Sequence, residues 1–205
     1  MQSGPLIDSD LPVGVLLAAG FGRRFDATGA RNKLLAPLED GRSVAWHSAR
    51  TLATALPGAL AIVRPDQQAL SEQLREAGCH VIATARAEAG MGAALAAAVE
   101  QTPGARGWVV ALADMPWVPL ELVRAVALSI VTPEAIAAPW RDGRRGHPVG
   151  FGAAWRDALQ RLDGDQGARA LLETRTVTRI LTDDDGAFRD IDTHADLPGS
   201  SAGPA

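Results

Sequence analysis

Short apolar runs and longer Ala/Leu-rich stretches take turns along the chain. The short runs are Val13–Ala18, Leu60–Val63, His80–Ala83, Trp108–Leu112 and Ala135–Ala138. Between them lie Val44–Leu56, Asp66–Ala77, Met91–Glu100 and Leu120–Ile130. Continuous apolar runs suit strands buried on both faces, and helix-length segments between them suit parallel βαβ units. Pro57-Gly58 and Ala77-Gly78 stand where helices should stop. The pattern loosens after Trp140, where Val149–Phe151 and Val177–Leu181 read as strands, and Ala153–Arg161 and Gly167–Glu173 as helices. With no repeat and no linker, the expectation is one three-layer α/β domain with a mostly parallel central sheet, spanning residues 11–197. Residues 1–10 and 198–205 have tail composition.

Composition narrows the class. In 205 residues, 47% are hydrophobic and 21% charged, the balance of a globular protein rather than a disordered one. The net charge of −4 gives no reason to expect nucleic acid or an anionic membrane as partner, so an anionic ligand must be met by local positive charge. The single cysteine, Cys79, excludes an internal disulfide and reads as a small buried hydrophobe. The N-terminus lacks a basic segment followed by an apolar one, and no apolar run reaches the ~20 residues of a membrane span. The expected location is cytoplasmic.

Local positive charge appears at once. The first apolar run breaks into Gly20-Phe21-Gly22-Arg23-Arg24, and Lys33 follows. Glycines past a strand let backbone N–H groups approach a phosphate chain, Arg23 offers a planar fork, and Lys33 a movable point charge. The stretch therefore reads as a polyphosphate cradle or, more plainly, as a strand–turn–helix corner with surface arginines. It lacks the third glycine of a dinucleotide fingerprint and the Gly-Lys-Ser/Thr of a Walker A loop. The run Trp108–Leu112 leads to Asp114, Met115 and Pro116. A carboxylate at that strand end suits Mg²⁺, a hard cation with oxygen ligands; it equally suits a helix cap. Asp192, in "FRDIDTHADL", is a second candidate whose spacing alone does not separate it from a solvated carboxylate. Asp183-Asp184-Asp185 before Gly186 reads as an exposed turn.

Taken in order, "LLAAGFGRRF…NKLL", "GMGAAL", "ADMP", "RRGHPVGF", "GDQGARALL" and "DIDTHADL" resemble the MobA-like nucleotidyltransferases, from about Val13 to Leu197. Within that group the chain is similar to the molybdenum cofactor cytidylyltransferases (MocA type). The resemblance implies a Rossmann-like nucleotidyltransferase that joins CMP from CTP to the phosphate of molybdenum-loaded molybdopterin, releasing pyrophosphate. It implies that Gly20, Gly22, Arg23 and Lys33 cradle the triphosphate, with Leu17, Ala18 and Ala19 beside it. Lys33, Arg23 and Asp114 would be catalytic, and Asp114 and Asp192 would hold Mg²⁺. Guanylyl-transferring relatives typically carry Leu-Ala-Gly-Gly where this chain has Leu17-Ala18-Ala19-Gly20, so the methyl of Ala19 favours the smaller pyrimidine. Gly90 and Gly92 would let backbone approach base or ribose, with Met91 packing on it.

Three departures stand out: Ala94 where relatives usually have serine, the longer first loop at Asp26–Arg31, and "THAD" for the common Thr-Pro-Glu-Asp. On the acceptor side the resemblance implies His147, Arg145, Asp165 and Arg169, with Arg144 nearby. The recipient of the finished cofactor would be a molybdenum hydroxylase of the xanthine dehydrogenase type. The rival expectations are guanylyl transfer, nucleotidyl transfer to another small phosphate, a nicotinamide-dependent reductase, and a cofactor escort. A phosphate monoester nucleophile, with its second pKa of about 6, needs no general base, so no catalytic histidine is expected.

Overall fold

The computed structural model describes residues 11–22, 24–26, 28, 31–173 and 175–198. The tail expected over 1–10, and nearly all of that over 198–205, lies outside these residues. Among these residues eight strands form one sheet: β1 Val13–Leu17, β2 Leu60–Val63, β3 His80–Ala83, β4 Gly107–Leu112, β5 Ile136–Arg141, β6 Arg144–Arg145, β7 Val149–Gly152 and β8 Thr178–Leu181. Their order is β3-β2-β1-β4-β7-β5-β6, with β8 paired to β5. β1 to β4 are mutually parallel, β7 runs antiparallel between β4 and β5, and β8 is parallel to β5. The sheet is thus mostly parallel.

The helices are α1 Val44–Ala55, α2 Gln68–Glu76, α3 Met91–Glu100, α4 Leu120–Leu128, α5 Arg156–Gln160 and α6 Arg169–Glu173. Strand alternation divides the core between two helical layers. Leu16, Val109 and Ala111 join Ala49, Leu52, Leu70, Leu74, Val123 and Val126 on one face, the side of α1, α2 and α4. Val13, Val15, Leu17, Trp108 and Val110 join Leu95, Ala98, Val99 and Leu159 on the other, the side of α3 and α5. α3 is buried from Gly92 to Val99, which is why that stretch holds only Gly, Ala, Leu and Val and carries no polar face. α1 begins where the Ser43 side chain accepts from the Trp46 amide at 3.2 Å, and ends before Pro57-Gly58. Cys79 is buried, with its thiol directed at the Ala49 carbonyl, and burial pushes its pKa up to about 12.

The later chain departs from the sequence reading in detail. The helix expected over 153–161 is a 3-10 turn, Ala153–Trp155, followed by the single-turn α5. The helix expected from Gly167 begins at Arg169, because Gly167 takes φ +52° and cannot continue the preceding turn Gly164–Gln166. Arg169 is therefore the first helical residue, two positions later than the expected start. The stretch around Arg144 folds back as β6 on β5 through Asp142 and Gly143, both at positive φ.

Two neighbouring central strands matter most. β1 and β4 lie side by side, with β2 continuing one way and β7 the other, so the crevice at their carboxyl ends is the switch point of the sheet.

Candidate active site

Both central strands extend past their last ladder residues. The Ala18 amide donates to the Ile62 carbonyl at 3.0 Å, and the Ala113 amide to the Leu17 carbonyl at 3.1 Å. The loop after β1 is then braced by Arg64, at the end of β2. Its guanidinium donates to the carbonyls of Ala19 at 2.6 Å and Gly20 at 3.1 Å and stacks 4.4 Å from the Phe21 ring centroid. Gly22 takes φ +61°, a conformation that favours glycine, and its carbonyl accepts from the amides of Phe25 and Asp26. Phe25 is thereby turned into a small apolar cluster with Val44 and Ile191.

Lys33 opens a 3-10 turn, Lys33–Leu35, capped by Asn32, whose side chain accepts from the Leu34 amide at 3.0 Å. That turn aims Lys33 under the glycine loop: a Cβ on Gly22 would sit 3.5 Å from its Cγ. Only 7% of Lys33 is exposed. Its Nζ donates to Asp114 Oδ2 at 2.7 Å and to Asp192 Oδ1 at 3.1 Å. Burial opposes the charged ammonium, but the charge of Asp114 and the bonds to both carboxylates outweigh it, and the Lys33 pKa is raised. Arg24 takes the other oxygen of Asp192 at 2.6 Å.

Asp114 and Asp192 meet because Ile191 is anchored between them. Its side chain is fully buried and its amide donates to the Asp114 carbonyl at 2.9 Å. Ser48 fixes the residue before, donating to the Ala113 carbonyl at 3.0 Å. With Ile191 turned inward, its neighbours Asp190 and Asp192 fall on the opposite side, facing Asp114. One oxygen from each of the three aspartates lies within 4.8 Å of the others. Hard carboxylate oxygens in this number suit a divalent cation such as Mg²⁺ or Mn²⁺. Behind Asp192, Asp196 accepts from the Asp192 amide at 3.1 Å and the Thr193 amide at 2.7 Å. "THAD" thus holds the ligand segment in place through its first and last residues.

These groups line a cleft of about 350 Å³ with Leu17, Ala19, Gly20, Gly22, Met91, Ala94 and Asp165. Gly90 lines it too. Ala18 and Gly92 are buried and do not. The small size of Gly90 and Gly92 serves packing: a Cβ at Gly90 would meet Asp165 Oδ1 at 2.4 Å, and one at Gly92 the Asp163 and Gly164 carbonyls at 3.0 Å. The turn at 163–166 therefore rests directly on the start of α3. Arg23 lies outside the described residues.

A second cavity, of about 310 Å³, adjoins the first and shares Leu17, Met91, Leu112 and Asp165 with it. Arg145, His147, Gly167 and Arg169 line it. The sequence-selected acceptor residues are therefore brought together, whereas Arg144 is exposed at the hairpin. His147 Nδ1 is enclosed with no hydrogen-bond partner. Burial, and secondarily the charge of Arg145, lowers the His147 pKa to about 4. Burial and the facing Arg169 lower that of Arg145.

The description of a MobA-like NTP transferase domain matches residues 14–180. The chain belongs to the MobA-like NTP transferase family. It is 30% identical to the purine catabolism protein PucB of Bacillus subtilis (strain 168) over 196 residues, 88% of this chain and 91% of that protein. Among solved structures, Rv0371c of Mycobacterium tuberculosis H37Rv superposes with a TM-score of 0.75 at 25% identity, covering 90% of this chain and 94% of that one. A second structure of Rv0371c is a manganese complex. The molybdopterin-guanine dinucleotide biosynthesis protein A of Archaeoglobus fulgidus shares the fold, with a TM-score of 0.67 at 20% identity and coverage of 90% and 94%. This MobA-like chain is a nucleotidyltransferase, and its carboxylate cluster suits a divalent cation.

Sequence reasoning missed Asp190 and gave Arg24 no role. The signal for Asp190 was the alternation Asp-Ile-Asp, polar on both sides of an apolar residue. Among the described residues no helix is long and apolar enough to cross a membrane.

Proposed function

We propose that the protein transfers CMP from CTP to the phosphate of molybdenum-loaded molybdopterin, with Mg²⁺ as the divalent ion. The observation that carries the transfer chemistry is the convergence of Lys33, Asp114, Asp190 and Asp192 beneath the glycine loop at the switch point. The acceptor phosphate oxygen attacks the α-phosphorus, and the bond to the pyrophosphate oxygen breaks. The attacking monoester is already anionic near neutral pH, so no residue has to remove a proton. What the chain must do is hold two anions together in line. The glycine loop leaves room for phosphates, Lys33 and Arg24 supply positive charge, and the aspartates would hold Mg²⁺. When bound, Mg²⁺ neutralises phosphate oxygens and the departing pyrophosphate.

Two features support the finer assignment. The methyl of Ala19 lies in the cleft wall and narrows it relative to a glycine, in favour of a pyrimidine. The adjoining cavity offers the acceptor Arg145 and Arg169 for its phosphate and the neutral His147 ring for a polar edge, within reach of the same cleft. A neighbour of the same fold is named for molybdopterin-guanine dinucleotide biosynthesis, which fits the acceptor and leaves the base to be decided by this chain.

The deciding measurement is pyrophosphate release with Mg²⁺, molybdenum-loaded molybdopterin and either CTP or GTP. Release with CTP is expected, with Ala19→Gly shifting the CTP-to-GTP ratio by about tenfold, the scale of one methyl group in a pocket. Release with GTP alone would overturn the base assignment and keep the transferase. Silence with both, on acceptor proven active with another enzyme, would overturn the acceptor.

A further inference from the structure

The ammonium of Lys33 stands where a cation of the carboxylate cluster would stand. It bonds one oxygen of Asp114 and one of Asp192, two of the three residues whose oxygens lie within 4.8 Å of one another. A divalent ion needs those lone pairs at roughly 2.0–2.6 Å, and an ammonium held on the same oxygens repels it. Arg24 adds a second positive charge on Asp192. Three carboxylates against the buried Lys33 and the exposed Arg24 leave the cluster with one net negative charge, a poor attraction for a free metal ion.

Lys33 also has somewhere to go. Its stem runs beneath Gly22, in the loop whose glycines leave space for a phosphate chain, so the same side chain lies between the carboxylates and the place for the triphosphate. A triphosphate arriving with its metal brings a new anionic partner for the ammonium and a replacement cation for the aspartates. We infer that Lys33 is an exchangeable cation of this site: it holds Asp114 and Asp192 until nucleotide and metal arrive, then passes to the phosphates. Metal and nucleotide binding are thereby coupled, and each raises the affinity for the other. Lys33 acts here as a positioning residue as well as a phosphate ligand. The inference rests on the divalent-metal reading of the cluster.

The test is Mn²⁺ binding, followed by electron paramagnetic resonance without nucleotide, on the full chain. Lys33→Met removes the competing charge and is expected to tighten Mn²⁺ binding by about tenfold or more, the scale of one charge withdrawn from a partly hydrated pair. Lys33→Arg keeps a cation and is expected to retain the weak binding of the wild type. In the wild type, CTP is expected to raise Mn²⁺ retention above that of CTP alone. Equal affinity in wild type and Lys33→Met overturns the exchange while leaving the metal site standing, and weaker binding in Lys33→Met makes Lys33 an organiser of the ligands instead. Mn²⁺ bound by none of the three proteins, with or without CTP, overturns the metal reading and the exchange with it. Should Lys33→Met not fold, Lys33→Gln carries the same expectations.

Discussion

The two adjoining cavities are built on opposite electrostatic plans. In the cleft beneath the glycine loop, Lys33 and Arg24 are already answered by Asp114 and Asp192. Next door, Arg169 is paired with Glu173, but no described carboxylate lies within ion-pair distance of Arg145, and His147 Nδ1 has no partner. The first cavity satisfies its own charge and must exchange partners to work. The second leaves the Arg145 charge without a carboxylate partner, free to meet an anionic ligand. One wall, formed by Leu17, Met91, Leu112 and Asp165, serves both.

Asp114→Asn should break the comparison at its strongest point. It removes a charge from the cluster and from Lys33 together, and turnover should fall on the order of a thousandfold. Asp192 still answers the ammonium, so the stability lost should be about 2 kcal/mol in urea unfolding. Turnover within tenfold of wild type would mean that the cluster does not carry the chemistry.

Gly90→Ala attacks the wall between the cavities. The residue has φ +130°, and the added carbon would meet Asp165 Oδ1 at 2.4 Å and the Gly164 backbone at 2.5 Å. Strain and overpacking should cost about 2–3 kcal/mol and push the 163–166 turn away from α3. Acceptor KM should rise more than nucleotide KM. An unchanged thermal midpoint would show that the turn does not rest on Gly90.

A pH-dependent effect, with no loss of turnover attached to it, sharpens the second cavity. His147 is neutral in the folded protein down to about 4, whereas an unfolded histidine titrates near 6.5. The unfolded chain therefore binds the extra proton between those values. The stability contributed by the neutral ring is whole above pH 6.5 and is lost as pH falls toward 4, on the order of 3 kcal/mol in all. Unfolding measured across that window should flatten in His147→Gln. An identical slope in wild type and variant would mean that water reaches the ring.

The sequence carried the sheet and the larger helices because each is a local pattern. Val13–Leu17, Leu60–Val63 and Trp108–Leu112 are unbroken apolar runs, and α3 is apolar from Gly92 to Val99. The antiparallel direction of β7 was not legible, since a four-residue run reads the same both ways. Lys33, Asp114 and Asp192 were selected by motif resemblance, but their mutual bonding was not, because it joins positions 81 and 159 residues apart. Asp190 is positioned by the amide of its neighbour Ile191 on the Asp114 carbonyl, a tertiary contact that the Asp-Ile-Asp alternation alone does not reveal. Gly90 and Gly92 looked like openings for a nucleotide, and their steric surroundings show them also to be a seat for a distant turn.

The bond from Ile191 to the Asp114 carbonyl has a consequence for biosynthesis. A ribosome extends a chain N-terminus first, by roughly 5–20 residues per second. β1 to β4 can pair as soon as they emerge, and Lys33 can find Asp114 then. Asp190 and Asp192 follow seconds later, after β5, β7 and β8 have widened the sheet. The nascent protein therefore acquires its scaffold first and its full set of carboxylates among its last steps. A half-made chain has a glycine loop and a lysine but only one of the three clustered aspartates.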